Sequence, residues 1–414
     1  MPGRYLSFMM NCPEDKLISH LGSGPRLKEP SPQKKVRVLH IVTRLNIGGV
    51  APHVLLLASQ LNPEKFEITV LAGPEPPQEG SMEHLGRQNG VKLIRIPDLQ
   101  RNVSLLKDVK AFWRIYRLIR SQKPDIVHTH LSKAGFLGRL AAKLAAVPVV
   151  VHTFHGHIFN GFFSSPKSRI FLFLERRLAS FSTCLVAVNR MIYSDLMKLK
   201  IATGRCRVIE NGYDLRKFVE IERHCGIFRK ELGLDQTHIL VGTVARLVPV
   251  KGCTHLLEAA ADFLEASPDL RLVLVGDGEL REKLQKRAYS LGIQERVIFT
   301  GFRKDMEKIY SDLDLLVLPS LTEGLPTVII EALCAGLPVV ATRVGAVPDL
   351  ITPETGVIVE PRDSKAIAGA VREMVKHLPL NHNPQIRQKF GQRFGVKRLV
   401  EDTERFYCQL LFWK

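Results

Sequence analysis

No apolar run in this 414-residue sequence reaches the ~18 residues that a membrane-crossing helix needs. The longest candidate, 134–154, is interrupted by Arg139 and Lys143. Paired cysteines are missing too. Cys12, Cys184, Cys206, Cys225, Cys253, Cys334 and Cys408 are odd in number and contain no C-x-x-C pair. That argues against a disulfide framework or a thiolate zinc site, and for free thiols in a reducing cytosol. Tandem repeats and low-complexity tracts are absent. Residues 1–35 carry Pro, Gly and charge without an apolar core, so they are expected as a disordered extension rather than a secretory signal.

Acidic residues are scarce in one stretch. Residues 101–200 hold 17 Lys and Arg against four Asp and Glu, within a net charge of +18 for the whole chain. Residues 201–414 are nearly balanced, at 30 against 28. The basic field therefore belongs to one domain. Nucleic acid, an anionic membrane surface and anionic small molecules could each explain it, as could simple solvation of that face. No recognisable nucleic-acid motif accompanies the basic residues, so no nucleic-acid partner is expected.

What the chain does have is regular alternation. VRVLHIV, FEITVLA, VKLIRI, DIVHTH, VVVHTF, TCLVAV and RVIENG read as strands separated by helical patterns. A second series follows: HILVGTVA, LRLVLVG, VIFTG, LLVLP, PVVAT and GVIV. Continuous apolar strands with helices between them indicate parallel sheets covered on both faces. The fold class is α/β: two doubly wound, Rossmann-like domains facing across a cleft. The first is expected over 36–212 and the second over 235–384. A polar linker over 213–234 joins them, and a C-terminal helix over 385–414 packs back toward the first. Ligands in such sheets bind beyond the carboxyl ends of the strands.

Residues 322–342, TEGLPTVIIEALCAGLPVVAT, carry the most chemistry. Pro326 suits the first position of a helix, where its missing N–H has no partner to lose. Glu331 stands among Val328, Ile329, Ile330, Ala332 and Leu333, and a carboxylate there is costly unless it meets donors or a cleft. The segment Gly324, Leu325, Pro326 and Thr327 begins a helix whose free amides and dipole attract anions. Glu331 lies roughly 7 Å further along the axis, close to where a ribose would sit beyond a bound phosphate. The bland reading is a buried helix with a capping carboxylate and one satisfied core glutamate.

Other segments are weaker singly. Gly48 and Gly49 follow the first strand and permit close backbone approach to a phosphate or sugar, although the full G-x-G-x-x-G fingerprint is absent. Arg246 and Lys251 are spaced to bracket a diphosphate. In VGDGEL, Asp277 is a candidate helix cap. His128, His130, His152, His155 and His157 cluster in the basic domain. No carboxylate or cysteine cluster accompanies them, which disfavours metal. His155, before Gly156, is the best placed to meet a substrate, and His128 and His152 fit core positions. Asp312-Leu313-Asp314 has a metal-binding D-x-D form, but it falls between a helix and a strand and reads as structural. Phe154, Phe159, Phe162, Phe163, Phe171 and Phe173 lie among Lys167, Arg169, Arg176 and Arg177, a composition that can dock on a membrane interface without crossing it.

Together these segments resemble the family-4 glycosyltransferases, in the right order and over about residues 36–410. The carriers are E-x7-E from Glu323 to Glu331, the Arg246/Lys251 pair, the early GG turn and His155-Gly156. HTHLSKAG, GRLAAKLAAVP and HTFHGH are similar to members that build cell-surface polysaccharides on lipid carriers. The resemblance implies a retaining hexosyl- or N-acetylhexosaminyltransferase of the two-Rossmann (GT-B) fold. It implies that Glu323 and His155 form the catalytic pair against the donor sugar. Arg246, Lys251, Gly324, Leu325, Pro326, Thr327, Glu331, Gly48 and Gly49 would bind the donor, with Glu331 on the ribose. No metal and no cofactor are expected, the nucleotide-diphosphate sugar being a co-substrate. The implied partners are that nucleotide sugar, a glycan or lipid-linked acceptor and an anionic membrane surface, with a cytoplasmic or peripheral location. One departure stands out: many relatives have a charged pair after GG, where Val50, Ala51, Pro52 and His53 follow here. This bears on acceptor contacts at that turn and not on the donor site. The rival readings are a UDP-sugar 2-epimerase on the same architecture and a basic nucleic-acid-binding protein.

Overall fold

The computed structural model describes residues 34–46, 50–75, 80–156, 166–202, 204–378 and 384–412, without the side chains of 166–168 and 412. The first sheet is built from β1 (Val36–Arg44), β2 (Phe66–Gly73), β3 (Lys92–Arg95), β4 (Ile126–His130), β5 (Val149–Phe154), β6 (Cys184–Ala187) and β7 (Cys206–Val208). Its seven strands run in the order β3-β2-β1-β4-β5-β6-β7. The second sheet comprises β8 (Ile239–Val244), β9 (Leu270–Val275), β10 (Val297–Gly301), β11 (Leu315–Leu318), β12 (Val339–Thr342) and β13 (Gly356–Val359). Its six strands run β10-β9-β8-β11-β12-β13. Every pairing within the two sheets is parallel. In both sheets the order reverses beside the first strand, which opens the crevice where ligands of doubly wound folds lie. The seven apolar runs and the six that follow them in the sequence each become one strand.

The unbroken apolar character of these strands has a direct cause. In the second sheet, Leu240, Val273, Leu316 and Val339 face one core, while Val241, Leu272, Leu315 and Val340 face the other. The first sheet divides in the same way, with Leu39, Leu71, Val127 and Val150 on one side and Val38, Ile126, Val149 and Val151 on the other. Helices cover both faces, so neither parity along a strand can be polar. Phe154 belongs to this interior. Its place in an interfacial aromatic patch is therefore corrected, because it is the last residue of β5.

The 213–234 stretch carries two short helices, Arg216–Val219 and Ile227–Glu231, and Phe218 and Phe228 are buried in the second core. The C-terminal pattern is two helices, Pro384–Phe394 and Val396–Phe412, rather than one. They serve different cores: Phe390 and Phe394 join the second, and Leu399, Phe406 and Tyr407 join the first. The break falls at Gly395, which forms a parallel bridge with Tyr213. There the Tyr213 amide donates to the Phe394 carbonyl at 2.8 Å, and the Val396 amide donates to the Tyr213 carbonyl at 3.0 Å. Arg398 donates to the carbonyls of Glu210 and Asn211 at 2.8 and 2.9 Å, and Arg393 grips the Glu210 carboxylate with two bonds of 2.7 and 3.0 Å. The two passages of the chain between the sheets are thus tied side by side. No helix among the described residues is long and apolar enough to cross a membrane.

Candidate active site

The loops that follow β8 and β11 are stitched together. The Leu321 amide donates to the Val250 carbonyl at 2.8 Å. Gly252 closes the turn Pro249–Lys251 with φ +67°, and a Cβ there would collide with the Pro319 carbonyl oxygen. Only glycine allows this approach without strain. The stitching brings Lys251 Nζ within 2.6 Å of Glu323 Oε1, which also accepts from Ser320 Oγ at 2.6 Å. The pair is largely shielded, with Glu323 and Lys251 side chains 9% and 22% exposed. A carboxylate and an ammonium so placed attract each other far more than on an open surface, and removing one leaves the other uncompensated. Arg246, two residues beyond β8, is exposed.

The helix after the Glu323 loop spans Thr327–Cys334. Pro326, expected as its first residue, is instead the cap position in extended conformation (φ −75°, ψ 106°), with no side-chain cap bond. The Gly324 carbonyl is taken by the Ala346 amide at 2.9 Å. A second close approach holds this loop: Gly345 has φ +56°, and a Cβ there would strike the Glu323 carbonyl oxygen. Glu331 is half-buried, and its Oε2 accepts the Tyr310 hydroxyl at 3.0 Å. Burial pushes its carboxyl up to about 7, against the opposing pull of the Tyr310 bond and the Lys217 charge.

In the first sheet, His155 follows the end of β5 and is half-buried. Its Nε2 lies 2.9 Å from His130 Nδ1, while its buried Nδ1 has no partner among the described residues. The Nδ1 of His53 is in the same condition, 5.1 Å from His155 between ring centroids. Burial pushes the imidazolium form of His155 well below the ordinary range, so the ring is neutral. Gly48, Gly49 and His157 lie outside the described residues, as do Phe159, Phe162 and Phe163.

The D-x-D pair is structural, as its place between a helix and a strand suggests. Asp312 accepts the amides of Gly226, Phe228 and Arg229 at 2.8, 2.7 and 3.1 Å, and Asp314 accepts Arg229 Nη2 at 2.6 Å. The D-x-D pair thus anchors the short helix Ile227–Glu231. Asp277 does not cap the next helix, which starts after Leu280; it accepts the Gly278 amide at 2.8 Å and pairs with Arg281 at 3.2 Å. His152 is a core residue bonded to Thr129 Oγ1 at 2.8 Å. The sequence reading missed Ser320, Tyr310 and Gly345. Ser320 was within reach, lying three residues before Glu323 at a strand end; Tyr310 belongs to another helix and leaves no local signal.

Residues 47–217 match the family described as Glycosyltransferase Family 4, and residues 226–390 match Glycosyl transferases group 1. The chain is 31% identical over 394 residues to the UDP-Gal:alpha-D-GlcNAc-diphosphoundecaprenol alpha-1,3-galactosyltransferase of Escherichia coli, covering 92% of this chain and 99% of that one. It is 24% identical over 381 residues to the capsular polysaccharide biosynthesis glycosyltransferase CapM of Staphylococcus aureus, covering 84% and 98%. Among solved structures, HepE of Anabaena in complex with UDP superposes with a TM-score of 0.77 at 21% identity, over 90% of this chain and 99% of that one. A candidate UDP-N-acetylglucosamine 2-epimerase of Listeria monocytogenes shares the architecture at TM-score 0.64 and 16% identity, over 92% of this chain and 98% of that one. The fold alone therefore does not separate transferase from epimerase, whereas the sequence relatives favour the transferase. With both sheets and both family matches in place, the chain belongs to the family-4 glycosyltransferases of the two-Rossmann (GT-B) class.

Proposed function

We propose that this glycosyltransferase moves a hexose, with retention, from a uridine-diphosphate donor to a hydroxyl of a lipid-linked glycan during surface polysaccharide synthesis. The donor and acceptor classes rest on the names of the Escherichia coli and Staphylococcus aureus relatives. The observation that carries the site is the shielded Lys251–Glu323–Ser320 cluster before the start of the Thr327–Cys334 helix. On this reading Lys251 and Arg246 neutralise the diphosphate, together with the amides of Gly324, Leu325 and Thr327 and the Gly48-Gly49 turn. A diphosphate that draws Lys251 away frees Glu323 Oε1 to accept a sugar hydroxyl. Glu331 accepts from the ribose hydroxyls, and His155 meets the sugar from the first domain.

In the transfer the bond from the anomeric carbon to the phosphate oxygen breaks, and its electron pair leaves with the diphosphate. The acceptor oxygen bonds to the same face of that carbon, and its proton passes to the departing phosphate. Positive charge grows on the sugar and negative charge on the phosphate, where the two cations and the helix amides stabilise it. With the diphosphate so neutralised, turnover needs no metal, and EDTA should leave the rate unchanged. Glu323→Gln and Lys251→Ala should each lower kcat by ~10²–10³, as loss of a transition-state partner does, while thermal melting confirms the fold. Wild-type rates in both variants would remove the assignment. Incubation with donor alone should yield no epimeric sugar; an epimer would reinstate the isomerase.

We also propose that the first domain docks on the anionic cytoplasmic face of a membrane. Val103 before the helix Leu105–Gln122 and Leu105, Leu106, Val109 and Trp113 along it are exposed, beside exposed Lys107, Lys110 and Arg117. Ile170, Phe171 and Phe173 are exposed beside Arg176 and Arg177. Apolar insertion flanked by cations suits an anionic bilayer. Co-sedimentation should occur with vesicles containing anionic lipid and fail with neutral ones. Failure with both would leave a soluble encounter with the acceptor.

A further inference from the structure

The parallel register of the first sheet gathers a second group of polar side chains beneath the candidate site. His40 on β1 pairs with His128 on β4, and His130 pairs with Thr153 on β5. Residues two apart on a strand share a face, so these four side chains point the same way. Tyr407 of the helix Val396–Phe412 closes over them and is itself fully buried. The contacts form one unbranched series. Thr153 Oγ1 lies 2.6 Å from His128 Nε2, and His128 Nδ1 lies 2.6 Å from the Tyr407 hydroxyl. That hydroxyl is 3.4 Å from His40 Nε2, and His40 Nδ1 is 3.0 Å from His130 Nε2. His130 Nδ1 then reaches His155 Nε2 at 2.9 Å. The series ends at His155 Nδ1, the buried nitrogen with no partner among the described residues.

Burial holds all four of these histidines far below their ordinary pKa, so each ring carries a single N–H. A neutral imidazole donates at one nitrogen and accepts at the other. Tyr407 is fully buried, and its hydroxyl proton has only His128 and His40 as partners in this series; with that proton placed on one of them, two unbroken patterns remain. If protons point away from His155, every ring is the Nε2–H tautomer; if they point toward it, every ring is Nδ1–H. The tautomers are locked to one another, and imidazole ordinarily prefers Nε2–H. We propose that Thr153, His128, Tyr407, His40 and His130 form a hydrogen-bonded relay that holds His155 as the Nε2–H tautomer, presenting Nδ1 as an acceptor for a hydroxyl of the transferred sugar. This rests on the proposed contact between His155 and the sugar. Tyr407, His40 and His130 are positioning residues that act through His155.

A metal is the rival occupant, since ligand atoms of His40, His128 and His130 all lie within 4.8 Å of one another. Both nitrogens of His128 are already held at 2.6 Å by hydroxyls that an ion would have to displace.

Long-range proton–nitrogen spectra of the full chain, labelled with 15N-histidine, read each tautomer directly. The expected result is Nε2–H at His40, His128, His130 and His155 alike. Tyr407→Phe should give mixed tautomers at His155 and lower kcat about tenfold, the effect of one lost buried hydrogen bond. Differing tautomers in the wild type would overturn the relay, as would unchanged His155 resonances and rate in Tyr407→Phe. Stoichiometric zinc binding that shifts the His40, His128 and His130 resonances would overturn it in favour of a metal site. The wild-type spectra decide even if the variant fails to fold. Full activity in His155→Ala with uniform Nε2–H spectra would sink the sugar contact and leave the relay standing. An inactive His155→Ala with mixed spectra would do the reverse.

Discussion

Glu331 is one residue from which two pH responses of opposite sign are expected. Its carboxyl is raised from 4.5 to about 7, chiefly by burial. The folded state therefore holds this proton more tightly than the unfolded chain does. Stability is greatest below pH 4.5 on this account and declines as the pH rises through the window to about 7. Glu331→Gln should flatten that decline and melt higher than the wild type at pH 8, as thermal scans across pH would record. On the proposed donor site, UDP binding should run the other way, because ribose hydroxyls are better accepted by the carboxylate. Affinity should rise between pH 6 and 8 in the wild type and lose this dependence in the variant, as titration calorimetry can read. The sequence made the residue conspicuous, since a carboxylate among Val, Ile and Leu needs a reason. It gave no sign of Tyr310, whose hydroxyl reaches Glu331 from another helix. Likewise the spacing of Arg246 and Lys251 gave no sign that Lys251 pairs with Glu323, which comes from the loop after another strand.

At the scale of elements, strands were the most legible part of the molecule. A strand buried on both faces announces itself as a continuous apolar run, and the sheet order follows from parallel crossovers. Turns were legible only as positions of glycine, because the reason for each glycine lies in a distant loop. Gly252 is required by the Pro319 carbonyl, and Gly345 by that of Glu323. Gly252→Ala combines a left-handed φ with a steric clash and should cost ~1–3 kcal/mol. It should also part Lys251 from Glu323, so weaker UDP binding ought to accompany the lower melting temperature. A variant that melts lower yet binds UDP normally would separate the turn from the donor site.

At the scale of the whole molecule, the final helix is a component of the first core rather than an appendage. Leu399, Phe406 and Tyr407 pack with Val38, Ile126 and Val149, while Phe390 and Phe394 finish the second core. Ending the chain after Phe394 should expose the first sheet to hydrogen exchange and leave protection in the second nearly intact. Periodicity suggested a helical terminus but hid its division at Gly395, which depends on the bridge to Tyr213. That bridge has a topological consequence. Chain enters and leaves the second lobe through a single doorway, so this lobe is a cassette spliced into its neighbour. Excised as 213–395, it should fold unaided, because its two cut ends already lie against each other.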